Sequence, residues 1–512
     1  MNKTQPSHQF TAEAVHAFED GAAPAAAASE LNPVARQIAS HYRRNTMSPV
    51  MISGLLRLSE FALIALGGLA VFLLYTGAPT GLTYAYPLVI LAGAALSVFL
   101  LEFANLYQLA VLRRPFVYLP RMALVMTAAF ALLAMAGFFL KISAEFSRVW
   151  FAGWLVAGLA LMLLTRLVLS ALIRRWARDG TMERRALIVG GGKPAETLIR
   201  TIEQDPDNDI RICGIFDDRD DARSPAVVAG YPKLGSVAEL VEFARMARVD
   251  MLIVSLPLSA QSRVLSLLKR LWVLPVDIRL SAHSSQLRFR PRAYSYVGSV
   301  PMLDIFDKPI NDWDSVAKRL FDIAFSLAGL IVFSPVMIAT AIAIKLDSKG
   351  PVFFKQKRHG FNNEVIEVWK FLSMYADQSD PQARKVVTKG DPRVTRVGRF
   401  IRKTSIDELP QFFNSLGGSL SLVGPRPHAL KGFSQDRLFE EVVDGYFARH
   451  RVKPGVTGWA QINGLRGEID HEDKIRRRTE YDLDYIENWS LGFDLKILLL
   501  TPIRLLNTEN AY

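Results

Sequence analysis

The chain contains 512 residues, and at roughly 150 residues per domain this length predicts about three domains. A hydrophobic fraction of 50% and a mean hydropathy of +0.18 are high for a soluble protein, and the apolar residues are clustered, which indicates membrane segments. The net charge of +12 leaves three classes of partner: nucleic acid, an anionic membrane surface or a phosphate-rich substrate. The single cysteine, Cys213, excludes an intramolecular disulfide and a multi-cysteine zinc site.

Residues 1–45 are polar and rich in alanine, and they lack a short apolar core followed by a cleavage site. This composition predicts a disordered cytosolic tail and argues against a signal peptide.

Four apolar stretches follow, each close to the ~20 residues that a helix needs to cross a bilayer. They lie at about 52–75, 84–107, 117–140 and 149–173, and they predict a four-helix transmembrane domain over 46–178. Arginines flank this domain at both ends, so the positive-inside rule places both ends in the cytosol. Three ionisable residues in or beside these stretches are expected to snorkel or to pair near an interface. They are Glu60, Glu102 and Arg166.

Residues 184–300 alternate between apolar strands and helices, which predicts a Rossmann-like α/β domain. The first strand runs into Gly190-Gly191-Gly192, and Asp217 follows the second strand, as in a dinucleotide-binding fingerprint. Three glycines also suit a tight turn without a ligand, so both interpretations stay open. No Tyr-x-x-x-Lys pair occurs within this domain, which favours a regulatory or structural module over a dehydratase.

A fifth apolar stretch, 320–344, is long enough to span a bilayer, yet basic residues stand at both of its ends. Ser334-Pro335 interrupts it. Proline removes one helical hydrogen bond, and the seryl hydroxyl can help to satisfy the carbonyl that is freed. We predict a re-entrant helix-break-helix that enters and leaves on the cytosolic side, with Ser334 and Pro335 as structural residues. An ordinary proline-kinked span is the alternative.

This re-entrant segment begins an α-rich catalytic domain predicted over 314–512, which centres on two adjacent carboxylates, Asp407 and Glu408. Pro410 suits the first turn of a helix, so a helix is predicted to begin near Asp407 and to carry both carboxylates at its N-terminus. A simple capping role is the alternative. Arginines on both sides favour a phosphate site, because a guanidinium binds phosphate through two hydrogen bonds. They are Arg393, Arg396, Arg399, Arg402 and Arg426.

Several segments of this region resemble the bacterial polyisoprenyl-phosphate hexose-1-phosphate transferases, in the order and spacing of that family. They are 318–322 with 334–335, 369–371, 391–399 running into 405–411, 423–427, and 453–464. The four spans and the Rossmann-like domain resemble the larger members of the family. One departure is Leu372, which stands where the family usually has a second basic residue.

The resemblance implies that Asp407 attacks the β-phosphate of a UDP-sugar, releases UMP and passes the sugar phosphate to undecaprenyl phosphate. Glu408 would orient a metal or the incoming phosphate. Both substrates are anionic, so Mg²⁺ bound by Asp407 and Glu408 is expected to offset charge. Substrate contacts are assigned to five further side chains. They are Lys370, Arg402, Arg426, His428 and Lys453.

The resemblance also implies a multi-pass protein of the bacterial inner membrane, a cytosolic catalytic domain and a homodimer. It favours glucose over galactose as the sugar, in the first step of exopolysaccharide or capsule synthesis. A membrane nucleotide-sugar dehydratase and a non-catalytic polysaccharide-assembly scaffold are the alternatives. Nucleic-acid binding does not fit, because the cations gather beside membrane segments and carboxylates instead of an aromatic-rich recognition element.

Overall fold

A computed structural model describes most of the chain, which divides into two compact units, Asn45–Arg184 and the remainder. The described residues are 31–42, 49–75, 85–178, 183–204, 210–219, 224–256, 260–281, 295–297, 300–378, 391–428, 433–434, 437–439, 443, 445–465, 467 and 471–505. The first 30 residues of the predicted disordered tail lie outside them.

The unit Asn45–Arg184 is built on four apolar helices, each with the length and composition to cross a membrane, and the predicted apolar stretches are confirmed as helices. Trp154 packs between three of them. Its indole nitrogen donates to the Ile64 carbonyl at 2.8 Å, and a Cβ at Gly68 or Gly93 would collide with its ring. The helices are Pro49–Tyr75, Ala85–Phe103, Pro115–Phe139 and Arg148–Arg178, with the short helix Leu109–Arg113 and the 3₁₀ turn Ser143–Glu145.

An ion pair lies inside this helical unit. Arg166 Nε donates to Glu60 Oε1 at 2.7 Å, and both side chains are at most 1% exposed. Tyr107 donates to the same carboxylate at 2.6 Å. Pairing was one of the two expected outcomes, and Glu60 and Arg166 do pair, with both side chains buried inside the helical unit. Arg57 and Glu102, in contrast, form an exposed pair at 2.8 Å.

The second unit contains an eight-stranded sheet with helices Lys193–Glu203, Val237–Met246 and Gln261–Leu271. The strand order is β3-β4-β2-β1-β5-β6-β8-β7. β1 pairs with β5 and β5 with β6 in parallel, whereas β8 is antiparallel to β6. The sheet therefore has the Rossmann-like character predicted, and its last strand extends beyond residue 300. The strands are β1 (Arg184–Val189), β2 (Ile210–Phe216), β3 (Val227–Val228), β4 (Tyr231–Gly235), β5 (Met251–Val254), β6 (Asp277–Ser281), β7 (Ser295–Val297) and β8 (Val300–Phe306).

A helix near the start of the chain packs on this α/β domain. Pro33–His41 begins after Asn32, whose side chain accepts a hydrogen bond from the Ala35 amide and donates one to the Leu234 carbonyl. Ala35 and Ala39 are fully buried in the domain core. The prediction of disorder through residue 45 is therefore wrong for this segment, because its alanines form an apolar helix face that the α/β domain covers.

The C-terminal domain surrounds the longest helix, Asp312–Asp347. β9 and β10 form an antiparallel hairpin, and β11 pairs with β14 in parallel. The strands are β9 (Phe353–His359), β10 (Val365–Phe371), β11 (Ser421–Val423), β12 (Phe433–Ser434), β13 (Arg437–Leu438) and β14 (Gly455–Thr457). The helices are Arg396–Lys403, Gln411–Gly417, Trp459–Ile462, Glu472–Glu487 and Leu491–Leu505, with 3₁₀ turns Phe361–Asn363, Ala376–Gln378, Ile406–Glu408 and Tyr446–Arg451.

The long helix continues through Pro335, so the predicted interruption of helical structure at Ser334-Pro335 is wrong. Pro335 has no N–H to donate to the Ile331 carbonyl. The Ser334 hydroxyl donates to that carbonyl at 2.8 Å, as the sequence led us to expect, and this replaces the bond that proline removes. The helix therefore tolerates its proline without losing a carbonyl partner.

Candidate active site

The two predicted catalytic carboxylates lie on the 3₁₀ turn Ile406–Glu408. The helix Arg396–Lys403 ends just before this turn. Ser405 then adopts a left-handed conformation, with φ 59° and ψ 17°, and thereby redirects the chain. This left-handed conformation is uncommon for a residue with a Cβ, and it lies at the junction between the helix and the turn that carries the carboxylates.

The following helix begins at Gln411, so the prediction that it begins near Asp407 is wrong. Pro410 has no N–H for the Ile406 carbonyl, which therefore cannot accept an α-helical bond from it. Leu409 N donates to that carbonyl instead, at 3.1 Å, in the i to i+3 pattern of a 3₁₀ turn. The carboxylates precede the α-helix and do not form part of its first turn.

Glu408 is neutralised by two cations from separate strands and loops. Lys370, on β10, donates to Glu408 Oε1 at 2.9 Å. Arg426, which follows β11, donates to Glu408 through both terminal nitrogens, with Nη1 at 3.1 Å from Oε2. Lys370 Nζ also lies 3.9 Å from Asp407 Oδ2. The structure thus brings together four of the predicted site residues.

Asn414 fixes the strand that carries Lys370. Its Oδ1 accepts from the Trp369 amide at 2.8 Å, and its Nδ2 donates to the Glu367 carbonyl at 2.7 Å. Asn414 is 6% exposed. Sequence analysis missed this residue, although an amide that follows the aromatic pair Phe412-Phe413 is a signal for a buried hydrogen-bond role.

Two glycines place the backbone beside Arg426. A Cβ at Gly424 would lie 2.5 Å from the Lys453 carbonyl oxygen, and one at Gly455 would lie 2.1 Å from the Gly424 nitrogen. The Gly455 amide donates to the Pro425 carbonyl at 2.9 Å. The glycines therefore allow β11 and β14 to approach closely enough to hold Arg426 in front of Glu408.

Asp407 is 9% exposed, and burial raises its pKa above the ordinary value of an aspartate. Lys370 opposes this rise in pKa and Glu408 adds to it, while Arg402 and Arg426 act in the same direction as Lys370. Arg402 therefore belongs to the electrostatic surroundings of Asp407, while its predicted contact with substrate phosphate stays a prediction. The carboxylate pair and these three cations form one charged site.

Comparison with known proteins assigns this region to a family. Residues 313–508 match the family model for bacterial sugar transferases, and residues 102–282 match the model for a CoA-binding domain. The chain is 35% identical to a UDP-glucose:undecaprenyl-phosphate glucose-1-phosphate transferase of Xanthomonas campestris pv. campestris, over 75% of this chain and 79% of the relative. A protein of the same name from Klebsiella pneumoniae is 36% identical over 71% of this chain and 76% of its own.

An undecaprenyl-phosphate glucose phosphotransferase of Komagataeibacter xylinus is 39% identical, over 70% of this chain and 66% of the relative. The chain belongs to the bacterial sugar transferase family. The predicted family is therefore confirmed, and the protein is a sugar phosphate transferase with apolar helices typical of a membrane protein.

In this transferase Leu372 is a core residue. It is 4% exposed and packs with Met337 and Ile344 of the long helix and with Ile401. Its amide donates to the Val352 carbonyl at 2.9 Å. The departure from the usual basic residue therefore adds apolar packing beneath the site, while Lys370 two positions earlier pairs with Glu408.

Two other predicted substrate-binding residues of the transferase have different neighbours. His428 is 5% exposed and contacts Tyr446 and Arg449. Burial, followed by the charge of Arg449, lowers the pKa of His428 well below its ordinary value and keeps the imidazole neutral. Lys453 is exposed, and the strongest charge acting on it is that of Arg319. Substrate binding by His428 and Lys453 stays a prediction.

A buried ion pair that sequence analysis missed supports Arg426 from behind. Arg449 donates to Asp482 Oδ2 at 2.6 Å and to the Arg426 carbonyl at 2.8 Å. Both side chains of the Arg449–Asp482 pair are at most 2% exposed. The signal in the sequence was the pair Arg478 and Asp482, which share a helix face that is otherwise buried.

In the α/β domain of the transferase, two nearby side chains already form hydrogen bonds with the backbone of the Gly190-Gly191-Gly192 turn. Asp217 accepts from the Gly191 amide at 2.6 Å and pairs with Arg219 at 2.8 Å. Arg219 also donates to the Gly191 carbonyl at 2.8 Å. The carboxylate that would bind a ribose in a dinucleotide site is already paired, so this geometry favours a turn without a nucleotide.

Proposed function

We propose that this transferase moves a hexose 1-phosphate, with glucose 1-phosphate preferred, from a UDP-sugar to undecaprenyl phosphate and releases UMP. The names of its relatives support the donor and the acceptor. The observation that carries the proposal is the unequal pairing of two adjacent carboxylates, in which Glu408 binds two cations and Asp407 stands 3.9 Å from the nearer one. The reaction would begin exopolysaccharide or capsule synthesis.

Asp407 is the proposed nucleophile. Its carboxylate oxygen attacks the β-phosphorus, a new oxygen–phosphorus bond forms, and the bond from that phosphorus to the bridging oxygen breaks, so that UMP leaves with the electron pair. An oxygen of the lipid phosphate then attacks the same phosphorus and releases the Asp407 carboxylate. Glu408 cannot attack as readily, because its oxygens already accept hydrogen bonds from Lys370 and Arg426.

The donor set of the site fits Mg²⁺. Asp407 and Glu408 offer two neighbouring carboxylates, and Mg²⁺ in phosphoryl-transfer sites commonly takes one or two carboxylates together with substrate phosphate oxygens. No group of three or more His, Cys, Asp or Glu side chains suited to a metal occurs among the described residues, so substrate oxygens would have to supply the remaining ligands. When bound, the ion would neutralise phosphate charge.

We propose that the long helix enters and leaves the membrane on the cytosolic face. Near its start, Arg319 donates to the Ser415 and Leu416 carbonyls. At its other end, Asp347 accepts from the Val397 amide at 2.9 Å. Both ends are thus bonded to the same C-terminal domain, whereas a straight 36-residue helix would extend for about 54 Å. A bend of the helix at Pro335 would allow both of its ends to contact that domain.

Cysteine labelling tests this topology. Single cysteines at Asp312 and Asn363, in a Cys213→Ser background, are expected to be equally protected from an impermeant thiol reagent in intact cells and equally labelled after lysis. Labelling of one position alone in intact cells would show that the helix spans the membrane and would remove the proposal.

UMP release tests the reaction itself. The purified full chain is incubated with Mg²⁺, undecaprenyl phosphate and, separately, UDP-glucose and UDP-galactose. Asp407→Asn is expected to abolish both UMP release and trapped sugar phosphate on the protein, whereas Asp377→Asn, an exposed carboxylate in the same domain, should retain activity. Undiminished product from Asp407→Asn would refute the assignment of Asp407 as the nucleophile. If the wild-type chain released no UMP from either donor, the result would favour the alternative of a non-catalytic polysaccharide-assembly scaffold.

A further inference from the structure

Arg478 is a buried arginine that lacks hydrogen bonds at two nitrogens. It lies on the helix Glu472–Glu487 and is 3% exposed. Within the described residues, its Nε and Nη2 have no hydrogen-bond partner. A buried polar group without a partner loses its hydration and gains nothing in exchange, and a buried guanidinium loses more than a neutral group. An anionic ligand that accepts hydrogen bonds from these two nitrogens would account for an arginine in this state.

Arg478 lies within the electrostatic reach of the active site. The charges of Arg449 and Arg426 act on it, and burial together with these charges lowers the pKa of Arg478 to about 9. Arg358 on β9 is in a similar position: burial and the charge of Arg426 lower its pKa to about 10. Arg426, which binds Glu408, therefore acts electrostatically on two further buried arginines.

The cations of this buried cluster outnumber its carboxylates. Four guanidinium groups share the cluster, and among the described residues that act on them three carry negative charge, namely Asp407, Glu408 and Asp482. The four are Arg358, Arg426, Arg449 and Arg478. One positive charge is left over. An anionic phosphate group of the substrate would offset this excess.

The cluster lies on the side of the C-terminal domain that packs on the α/β domain. The backbone at Gly445 is so close to the Trp272 ring that a Cβ would lie 2.1 Å from it, and Arg245 stacks over Phe447. The apolar helix Asp312–Asp347 packs instead on the helices around the carboxylates. A lipid phosphate would arrive along that apolar helix, so the cluster is better placed for the nucleotide part of the donor.

We propose that Arg478, together with Arg358 and Arg426, forms the subsite for the nucleotide phosphate of the UDP-sugar, the phosphate that leaves as UMP. This inference rests on the proposed function. Negative charge grows on that phosphate as its bond to the β-phosphorus breaks, and preorganised guanidinium groups stabilise charge where it develops. Arg478 would donate to this group through Nε and Nη2, which have no hydrogen-bond partner among the described residues.

The test compares Arg478→Gln and Arg478→Lys with the wild-type chain in UMP-release assays. Arg478→Gln is expected to raise KM for UDP-glucose at least tenfold and to weaken inhibition by added UMP by a similar factor, while KM for undecaprenyl phosphate changes less than twofold. Arg478→Lys should recover part of the loss because it keeps the charge. Arg477→Gln, which removes the same charge from an exposed position of the helix, should behave as wild type.

Direct binding separates this inference from the proposed reaction. UMP is expected to raise the unfolding temperature of wild-type and Asp407→Asn chains and to have little effect on Arg478→Gln. A rise in KM for the lipid alone, or a fall in thermal stability with unchanged UMP binding and unchanged KM values, would overturn the subsite. If the wild-type chain released no UMP from any donor, the proposed function would fail, and the UMP shift would still decide whether Arg478 binds a nucleotide phosphate.

Discussion

Lys318, near the start of the long apolar helix, forms a buried ion pair with Asp494 in the C-terminal helix, with Nζ 2.6 Å from Oδ2. The same ammonium group donates to the Val423 carbonyl at 2.9 Å, and Tyr485 donates to the other oxygen of Asp494 at 2.7 Å. The membrane-associated helix is therefore fixed to the last helix and to β11, the strand that leads to Arg426.

Replacing Lys318 with Met is expected to destabilise the C-terminal domain by about 3–5 kcal/mol, because Asp494 would keep a buried charge without its partner. Chemical unfolding in detergent, followed by tryptophan fluorescence, measures the change. Lys355→Met is the control, since the Lys355–Glu367 pair is about half exposed (52% for each side chain) and should contribute at most about 1 kcal/mol. Equal effects of the two variants would contradict the assignment.

Arg166→Leu is expected to destabilise the four-helix unit by about 3–5 kcal/mol, because it leaves the Glu60 carboxylate buried without its cation. Adding Glu60→Leu should restore much of the loss, since the double variant buries no charge. Thermal unfolding in detergent provides the measurement. Arg57→Leu, which breaks the exposed pair with Glu102, should have a small effect. A double variant as unstable as Arg166→Leu would argue against this account.

Gly455→Ala is expected to destabilise the C-terminal domain by about 3 kcal/mol, at the upper end of the range for overpacking. The added Cβ would lie 2.1 Å from backbone of the paired strand, where no side chain can move aside. UMP release should fall as well, because Arg426 would shift from Glu408. Gly417→Ala is the control, since a Cβ there has no neighbour within 4 Å. Normal stability of Gly455→Ala would contradict the close approach of the strands.

The acid limb of the pH–rate profile is expected to reflect Asp407. A nucleophile must be ionised, and the pKa of Asp407 is raised by burial, so activity should disappear as the pH falls through a value above that of an ordinary aspartate. Glu408→Gln removes a like charge and leaves Lys370 and Arg426 to act on Asp407. The pKa of Asp407 should then fall, and the midpoint of the acid limb should move to lower pH even though the rate is reduced.

The measurement is kcat/KM for UMP release between acidic and neutral pH, for wild type and for Glu408→Gln. An unchanged midpoint would mean that a group other than Asp407 controls the acid limb.

The sequence was sufficient for features that depend on local composition. Apolar length predicted the membrane helices, and Ser334 next to Pro335 predicted the hydrogen bond that replaces the one proline removes. The order of short motifs predicted that Lys370, Asp407, Glu408 and Arg426 belong together. These inferences rest on chain neighbours or on a family pattern, and neither requires knowledge of the packing.

Features that depend on distant partners could not be predicted. The helix Pro33–His41 is stable because the α/β domain covers its alanines, and that surface is distant in sequence. Asn414 and Arg449 act through backbone groups whose neighbourhood only the fold creates. His428 stands beside Arg426 in the motif, yet it is directed toward Tyr446. Sequence proximity therefore indicated the region and not the direction of each side chain.

The Glu60–Arg166 pair has a consequence for biosynthesis. Glu60 lies in the first apolar helix and Arg166 in the fourth, so a ribosome must make about a hundred further residues before the carboxylate meets its cation. Until then the first helix carries an ionisable side chain without its partner, which is costly in hydrocarbon. The ion pair therefore cannot form until the fourth apolar helix has been synthesised. Chains that end after the third helix are expected to be recognised as unassembled and degraded.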